Sequence, residues 1–395
     1  MEVNKTADII IDNLKWAEPE GLYIHVPFCS RKCRYCAFIS RHPRPHDFRE
    51  YTDAICRELT AQASSRRAKN PLKSIYFGGG TPSILPAELL CQILDKVIEL
   101  FGRTGDCEVT LEINPASVSK SDLAELFATK RFNRASVGFQ TGSEQLLELI
   151  GRDHRLVDFE QTMDGLLACG CKNISADLMF GLPEQTLSDL EHSVQILLSY
   201  PLQHVAFYSL MIEPQTVFYR RYHQHPELLP DDETERTMYR LLLKSFEEAG
   251  FEHYELSNVA RPSYASRHNL LYWQARQYWA VGPAAAGYAY GERWQNPSNI
   301  NVWLQHWLTS DERLAEVEKI SGEDSLREAM WLGLRLIRGV DLTQIRKRYS
   351  VDPLEFFADP IARMSEDGLL TIEDNCLRLT ERGQDLANYV SCEFV

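Results

Sequence analysis

The sequence predicts an α/β chain: an incomplete (β/α)6 barrel followed by a small α+β module. Three observations carry this prediction. Short apolar runs at 22–26, 74–77, 109–113, 135–138, 174–179 and 205–210 are near-continuous in hydrophobic residues, as strands buried on both faces are. Helical patterns near 47–65, 86–101, 119–129, 143–150, 156–169 and 185–199 alternate with them. Glycines and polar residues gather at or just beyond the ends of the runs, the edge at which barrels of this kind carry their chemistry.

Taken in order, each strand end contributes a distinct group. The first run leads into Cys29-Ser-Arg-Lys-Cys33-Arg-Tyr-Cys36, a C-x3-C-x2-C spacing. Three thiolates this close together can hold three irons of a [4Fe–4S] cluster and leave the fourth open to a small molecule. Structural zinc, the other common use of clustered cysteines, takes four ligands, usually in two distant pairs. Here position 38 is Phe38, and His25 lies within the strand run. The second run ends in Gly78-Gly79-Gly80-Thr81-Pro82, a turn that brings backbone N–H and C=O groups close to a ligand. The third ends in Glu112-Ile-Asn114-Pro115, and the fourth runs into Gln140, with Arg152 one short helix later. Asp177 lies in the fifth, ahead of Gly181-Leu-Pro183, and the sixth approaches Ser209 and Glu213. Carboxylates here can accept from hydroxyls and amines, and a guanidinium can fork onto a carboxylate. Tyr35 and Phe38 can shield a cluster from water.

Bulk composition excludes several classes. The 395 residues carry a net charge of −14, which disfavours a phosphate backbone as partner. No apolar run approaches the ~20 residues a transmembrane helix needs. Residues 1–20 lack the apolar core and cleavage site of a signal peptide. Ten cysteines in so long a chain are not a secreted disulfide scaffold, and a cytoplasmic location is expected. Cys56, Cys91, Cys107, Cys376 and Cys392 fall in apolar or helical contexts and read as small hydrophobes.

At this point the chain shows a specific resemblance. Tyr23-Ile-His-Val-Pro-Phe-Cys29, Gly78-Gly-Gly-Thr-Pro82, Ser136-Val-Gly-Phe-Gln140 and Asp177-Leu-Met-Phe-Gly-Leu-Pro183 occur in the order and rough spacing of one protein branch. Over 21–300 the sequence resembles the coproporphyrinogen III oxidase-like branch of the radical S-adenosylmethionine (SAM) superfamily. The resemblance implies a radical SAM partial barrel with a [4Fe–4S] cluster on Cys29, Cys33 and Cys36. It also implies SAM contacts from Tyr23, Tyr35, Gly79, Gly80, Thr81, Glu112, Gln140, Arg152, Asp177 and, more loosely matched, Ser209. Within the branch, the oxygen-independent coproporphyrinogen III dehydrogenases carry an additional cysteine two residues after the triplet. The heme chaperones of the HemW type carry Phe there, as this chain does with Phe38.

A second stretch, Arg267-His268-Asn-Leu-Leu-Tyr272-Trp273, resembles the HNxxYW segment of those chaperones. It implies heme, with His268 as axial ligand, since neutral imidazole ligates heme iron well. Tyr272, Trp273, Tyr278 and Trp279 offer aromatic faces to a porphyrin. The expected function is therefore heme binding and transfer to an acceptor protein, with an electron donor such as a flavodoxin or ferredoxin. The alternatives are propionate decarboxylation of coproporphyrinogen III, which Phe38 argues against, another radical SAM tetrapyrrole reaction, and a zinc-stabilised binding protein.

The expected division is an extension at 1–20, the barrel at 21–225, a heme-site and connecting segment at 226–320, and a last module at 321–395. In that module a helix carries Trp331, Leu334 and Ile337 on one face and ends at Gly339. A hairpin follows around Glu373-Asp-Asn375, and the whole resembles the winged-helix-like module at this end of the branch. Nine basic against fourteen acidic residues give it the wrong sign to grip phosphates, so a lid or interaction role is expected.

Overall fold

A computed structural model describes residues 14, 16–67 and 70–395. Residues 1–13 and 15 of the expected N-terminal extension lie outside the described residues. The six predicted strands are β1 (Gly21–Val26), β2 (Leu72–Gly79), β3 (Arg103–Ile113), β4 (Arg134–Gln140), β5 (Ile174–Phe180) and β6 (His204–Ser209). They pair in sequence order and in parallel, as short α crossovers require. The crossover helices fall where predicted, at Asp47–Ser64, Ala87–Phe101, Glu144–Ile150, Leu156–Ala168 and Leu187–Leu198. The pattern near 119–129 is irregular: one α turn, Lys120–Leu123, widens into a five-residue π segment, Ala124–Ala128.

Strand parity separates core from site. On β4, Ala135, Val137 and Phe139 join the hydrophobic core, while Ser136, Gly138 and Gln140 face a cavity. On β5, Ala176 and Leu178 are core, and Asp177 and Met179 face the cavity. The apolar parity is covered by the helices. The polar parity is left to the barrel interior.

The segment 226–320 is more than a connector. β7 (Glu252–Glu255) and β8 (Asn258–Ala260) extend the sheet beyond β6, antiparallel. β9 (Tyr278–Val281) pairs in parallel with β1 on the other edge, followed by antiparallel β10 (Ala286–Ala289), β11 (Glu292–Gln295) and β12 (Val317–Lys319). The result is one sheet of twelve strands. Its edges were illegible in the sequence because four-residue strands carry too short a pattern to distinguish from loop.

The helix Arg267–Trp273 closes the barrel from below, at the N-terminal ends of the strands. Ser266 caps its Asn269 amide, and the Glu108 carboxylate receives the Arg267 and His268 amides at 3.3 Å each. Two Ser–His–Tyr chains line this floor. His268 bridges Ser74 Oγ at 2.9 Å and Tyr272 Oη at 2.9 Å. His204 bridges Ser175 Oγ at 2.8 Å and Tyr254 Oη at 2.8 Å.

The C-terminal module packs helices Gly322–Gly333, Leu342–Tyr349 and Ala358–Glu366 against β13 (Val340–Asp341), β14 (Leu370–Glu373) and β15 (Cys376–Leu379). Its core, with Leu326, Met330, Leu342, Met364, Leu377 and Phe394, is a hydrophobic cluster separate from that of the barrel. The expected hairpin turns at Asp374 and Asn375, whose φ of 49° and 59° suit these residues better than most.

Candidate functional site

The cysteine loop leaves β1 and is tied down by backbone bonds on both sides. Cys29 N–H donates to Arg41 O at 3.0 Å, and Arg34 N–H donates to Ile150 O at 2.9 Å. Phe218 N–H in turn donates to Arg34 O at 2.9 Å. Tyr35 packs against the apolar cluster of Leu146, Leu147, Ile150 and Phe218. The loop is thereby held by elements distant in sequence, with Cys29, Cys33 and Cys36 on the wall of a cavity of about 530 Å3.

The cavity gathers most of the predicted groups. Tyr35, Gly79, Gly80, Thr81, Glu112, Gln140, Arg152, Asp177 and Ser209 line it with the three cysteines. Thr81 Oγ1 donates to Cys29 Sγ at 3.5 Å. Glu112 accepts from Tyr76 Oη at 2.7 Å and from Gly79 N–H at 3.1 Å. Ser136 Oγ donates to Asp177 at 3.2 Å, and Tyr208 Oη donates to Gln140 Oε1 at 2.8 Å. Gln140 holds a left-handed φ of 68°, which turns it inward as β4 ends.

The glycine turn is tight for an identifiable reason. Gly80 N–H donates to Val26 O at 2.8 Å and Thr81 N–H to Phe28 O at 2.7 Å, pinning the turn to the cysteine loop. A Cβ on Gly80 would lie 2.6 Å from Phe28 O and 2.9 Å from Val26 O. Gly80→Ala is therefore expected to destabilise the fold by about 2 kcal/mol or more, because the obstacles are backbone. Urea denaturation of both proteins measures this, and an unchanged midpoint would refute the close approach.

Arg152 has a different placement from the free fork expected. Its Nη1 donates to Cys33 Sγ at 3.7 Å, Nη2 to Asn114 Oδ1 at 3.0 Å and Gly138 O at 3.2 Å, and Nε to His154 Nδ1 at 3.1 Å. The guanidinium is thus committed to the cysteine loop and its support. Burial opposes its charge, but Cys33 and Tyr35 outweigh that and hold it protonated.

Two of the expected residues stand apart from this cavity wall. Tyr23 is not on the cavity wall: its hydroxyl donates to His25 Nδ1 at 3.1 Å and its ring stacks on Tyr76. It therefore supports the wall through Tyr76. His268, expected as a heme ligand, lies buried in the barrel floor with both ring nitrogens engaged by Ser74 and Tyr272. Burial, then the charge of Arg134, lowers its pKa to about 3. In this arrangement neither nitrogen is free to bind iron.

Some lining residues were missed. Tyr76, Tyr208 and Met211 line the cavity too. Strand parity could have found the first two, since each stands two residues from a predicted group on its strand or paired neighbour. Phe38, expected to shield the cysteines, lines the cavity with 62% of its surface exposed, and Met211 lines it with 69% exposed.

The donor set fits an iron–sulfur cluster better than zinc. Among the described residues, the group with ligand atoms all within 4.8 Å is His46, Asp47 and Glu50, and there Asp47 is already paired with Arg41 and Arg44. The three cysteine sulfurs do not form such a group. One tetrahedral zinc with Zn–S of ~2.3 Å would need sulfurs ~3.8 Å apart. Wider spacing suits a polynuclear centre.

The comparisons with known proteins bear on this geometry. Residues 23–197 match the model of the radical SAM superfamily, and 320–386 match that of the HemN C-terminal domain. The chain is 34% identical over 377 residues to the heme chaperone HemW of Bacillus subtilis, covering 95% of this chain and 99% of that one. The chain belongs to the HemW family. It is 32% identical to HemW of Escherichia coli, over 68% of this chain and 70% of that one. It is also 32% identical to the mitochondrial radical S-adenosyl methionine domain-containing protein 1 of Bos taurus, over 92% and 84% of the two chains. Coproporphyrinogen III oxidase (HemN) from Escherichia coli shares the fold, with a TM-score of 0.83 at 19% identity over 97% of this chain and 92% of that one. Among the described residues no helix is long and apolar enough to cross a membrane.

Proposed function

We propose that this HemW-family chain holds a [4Fe–4S] cluster on Cys29, Cys33 and Cys36, binds SAM in the adjoining cavity, and carries heme to an acceptor protein. The observation that supports this most is the convergence of three cysteines, a glycine turn and two half-buried acids on one cavity. A cluster held by Cys29, Cys33 and Cys36 would supply an open iron for SAM and one electron, which a flavodoxin or ferredoxin would replenish. The protein's own residues do the rest. Gly79 and Gly80 admit the ligand to the backbone, Glu112 and Asp177 face its cationic and hydroxyl groups, and Arg152 balances the negative charge of the cysteine loop. Tyr35 and the cluster behind it exclude water from one side.

The acids give the site a pH dependence. Burial pushes Glu112 up to about 7 and Asp177 up to about 6. Both lie above the ~4.3 and ~3.9 of the unfolded chain. Their contribution to the stability of the ligand-free protein is therefore fully present below pH ~4 and lost as pH rises through about 6 to 7. SAM, which is cationic at sulfur, reverses that cost by favouring the ionised pair. Its association should tighten as pH rises through the same window, falling roughly tenfold per unit below it for each protonated acid. A titration of the reduced-cluster EPR signal with SAM between about pH 5.5 and 8.5 measures the slope. A flat profile would remove Glu112 and Asp177 from the binding set.

The function itself is tested with the anaerobically reconstituted chain. It should contain about four irons and four sulfides, change its EPR spectrum on adding SAM, take up hemin, and pass it to an apo-hemoprotein. Turnover of coproporphyrinogen III to protoporphyrinogen IX without hemin transfer would replace the carrier reading with the dehydrogenase.

A further inference from the structure

We infer that heme sits not at the cluster cavity but in a second cavity at the opposite end of the barrel, between the floor helix and the C-terminal module. The inference rests on the carrier reading and adds where the cargo lies. This cavity also measures about 530 Å3, within the range that buries most of a large flat ligand. It is walled by residues that precede β1 and β9, including Trp16 and Trp273, and by the module's Leu336 and Ile345. β1 and β9 are parallel, so residues before them lie at the N-terminal strand ends. The cysteines follow β1 and lie at the C-terminal ends. The two cavities share no residue.

The chemistry of the walls selects an amphipathic dicarboxylate. Two indoles and aliphatic side chains supply the apolar surface a porphyrin plane needs. Four cations, Arg276, Arg338, Lys347 and Arg348, also line the cavity, in a chain whose net charge is −14. Its two acids are already engaged. Glu18 accepts from Tyr290 Oη at 2.7 Å, and Asp341 caps Gln344 N–H at 3.0 Å. Arg338 and Lys347 are exposed and make no ion pair among the described residues. Arg276 is paired with Glu20 at 3.5 Å and Arg348 donates to Gln274 O and Ala275 O, so Arg338 and Lys347 are the cations left for propionates.

Trp273 closes the same short helix as His268, which explains why a stretch associated with heme can lack a free histidine. The helix turns His268 into the barrel floor and Trp273 toward the cavity. The described lining has no His, Cys or Met. Heme held here is gripped by its faces and propionates and leaves its iron for the acceptor to ligate, which suits hand-over.

The test is hemin titration of the full chain, followed by the Soret band. Reversing two exposed cations together, Arg338→Glu with Lys347→Glu, should weaken hemin at least tenfold while leaving the SAM-induced EPR change intact. Hemin dimethyl ester, which lacks the propionate charges, should bind the wild type and the double variant alike. His268→Ala should leave the wild-type high-spin hemin spectrum unchanged. Hemin affinity that ignores the charge reversal but falls on Phe38→Asp or Met211→Asp would place heme at the cluster cavity and overturn the assignment. A low-spin hemin spectrum lost in His268→Ala would also overturn it. A wild type that takes up no hemin at all would instead defeat the carrier reading.

Discussion

Alanine at any one of Cys29, Cys33 and Cys36 is expected to leave the chain without a reducible cluster, and so without any SAM-dependent spectral change. The three sulfurs share one cavity wall, and no other cysteine lines that cavity. Cys91 and Cys107 are buried in the hydrophobic core and cannot substitute. The effect is all-or-none because a cubane that loses one of three protein ligands is left with two exposed irons. The fold itself should survive, since the loop is anchored through backbone bonds at Cys29, Arg34 and Arg41 rather than through the thiols. Iron and sulfide analysis of each variant, beside Cys91→Ala and Cys376→Ala as controls, measures the outcome. Full iron content in Cys33→Ala would refute the assignment. In the metal-free protein the Cys36 thiol is a poor nucleophile at neutral pH, because burial pushes it up to about 11. Assembly therefore depends on the metal to displace its proton.

Arg152→Gln is expected to produce the next largest effect, on the potential of the cluster and on stability together. The guanidinium is the cation in contact with Cys33 Sγ, and it also holds Asn114 and Gly138 O. A charge this close acts with about 4 kcal/mol at an effective dielectric of 20. Its loss penalises the more negative, reduced cluster and should lower the reduction potential by on the order of 100 mV. Unpairing its buried partners should cost a further ~3 kcal/mol of stability. Potentiometric EPR titration reads the first effect and denaturant unfolding the second. A Lys variant should recover part of the potential but little of the stability, because one ammonium cannot reach all four partners. An unchanged potential in Arg152→Gln would show that the contact with Cys33 does not persist in the loaded protein.

Much of this site was legible in advance because it is built from strand ends. A parallel α/β barrel places the residue after each strand on one rim, so a linear reading of Cys29, Gly80, Glu112, Gln140, Asp177 and Ser209 already lists neighbours in space. Two placements were not legible, for one physical reason. Tyr23 and His268 carry side chains whose chemistry suits the expected roles, but their direction depends on packing that no local pattern encodes. Tyr23 alternates onto the interior face yet is capped by His25 and Tyr76. His268 points into the floor because its helix lies under Ser74, a residue 194 positions away in sequence.

The sequence by itself determined the six parallel strands, the place of the cysteine triplet beyond the first of them, and the small C-terminal module. These follow from periodicity and spacing, which are local and survive without a fold. The tertiary structure decided the extended sheet, the commitment of Arg152 to the cysteine loop, the burial of His268 and the second, cationic cavity. Each of these depends on contacts between segments far apart in the chain, and the side-chain directions are set only when those segments pack.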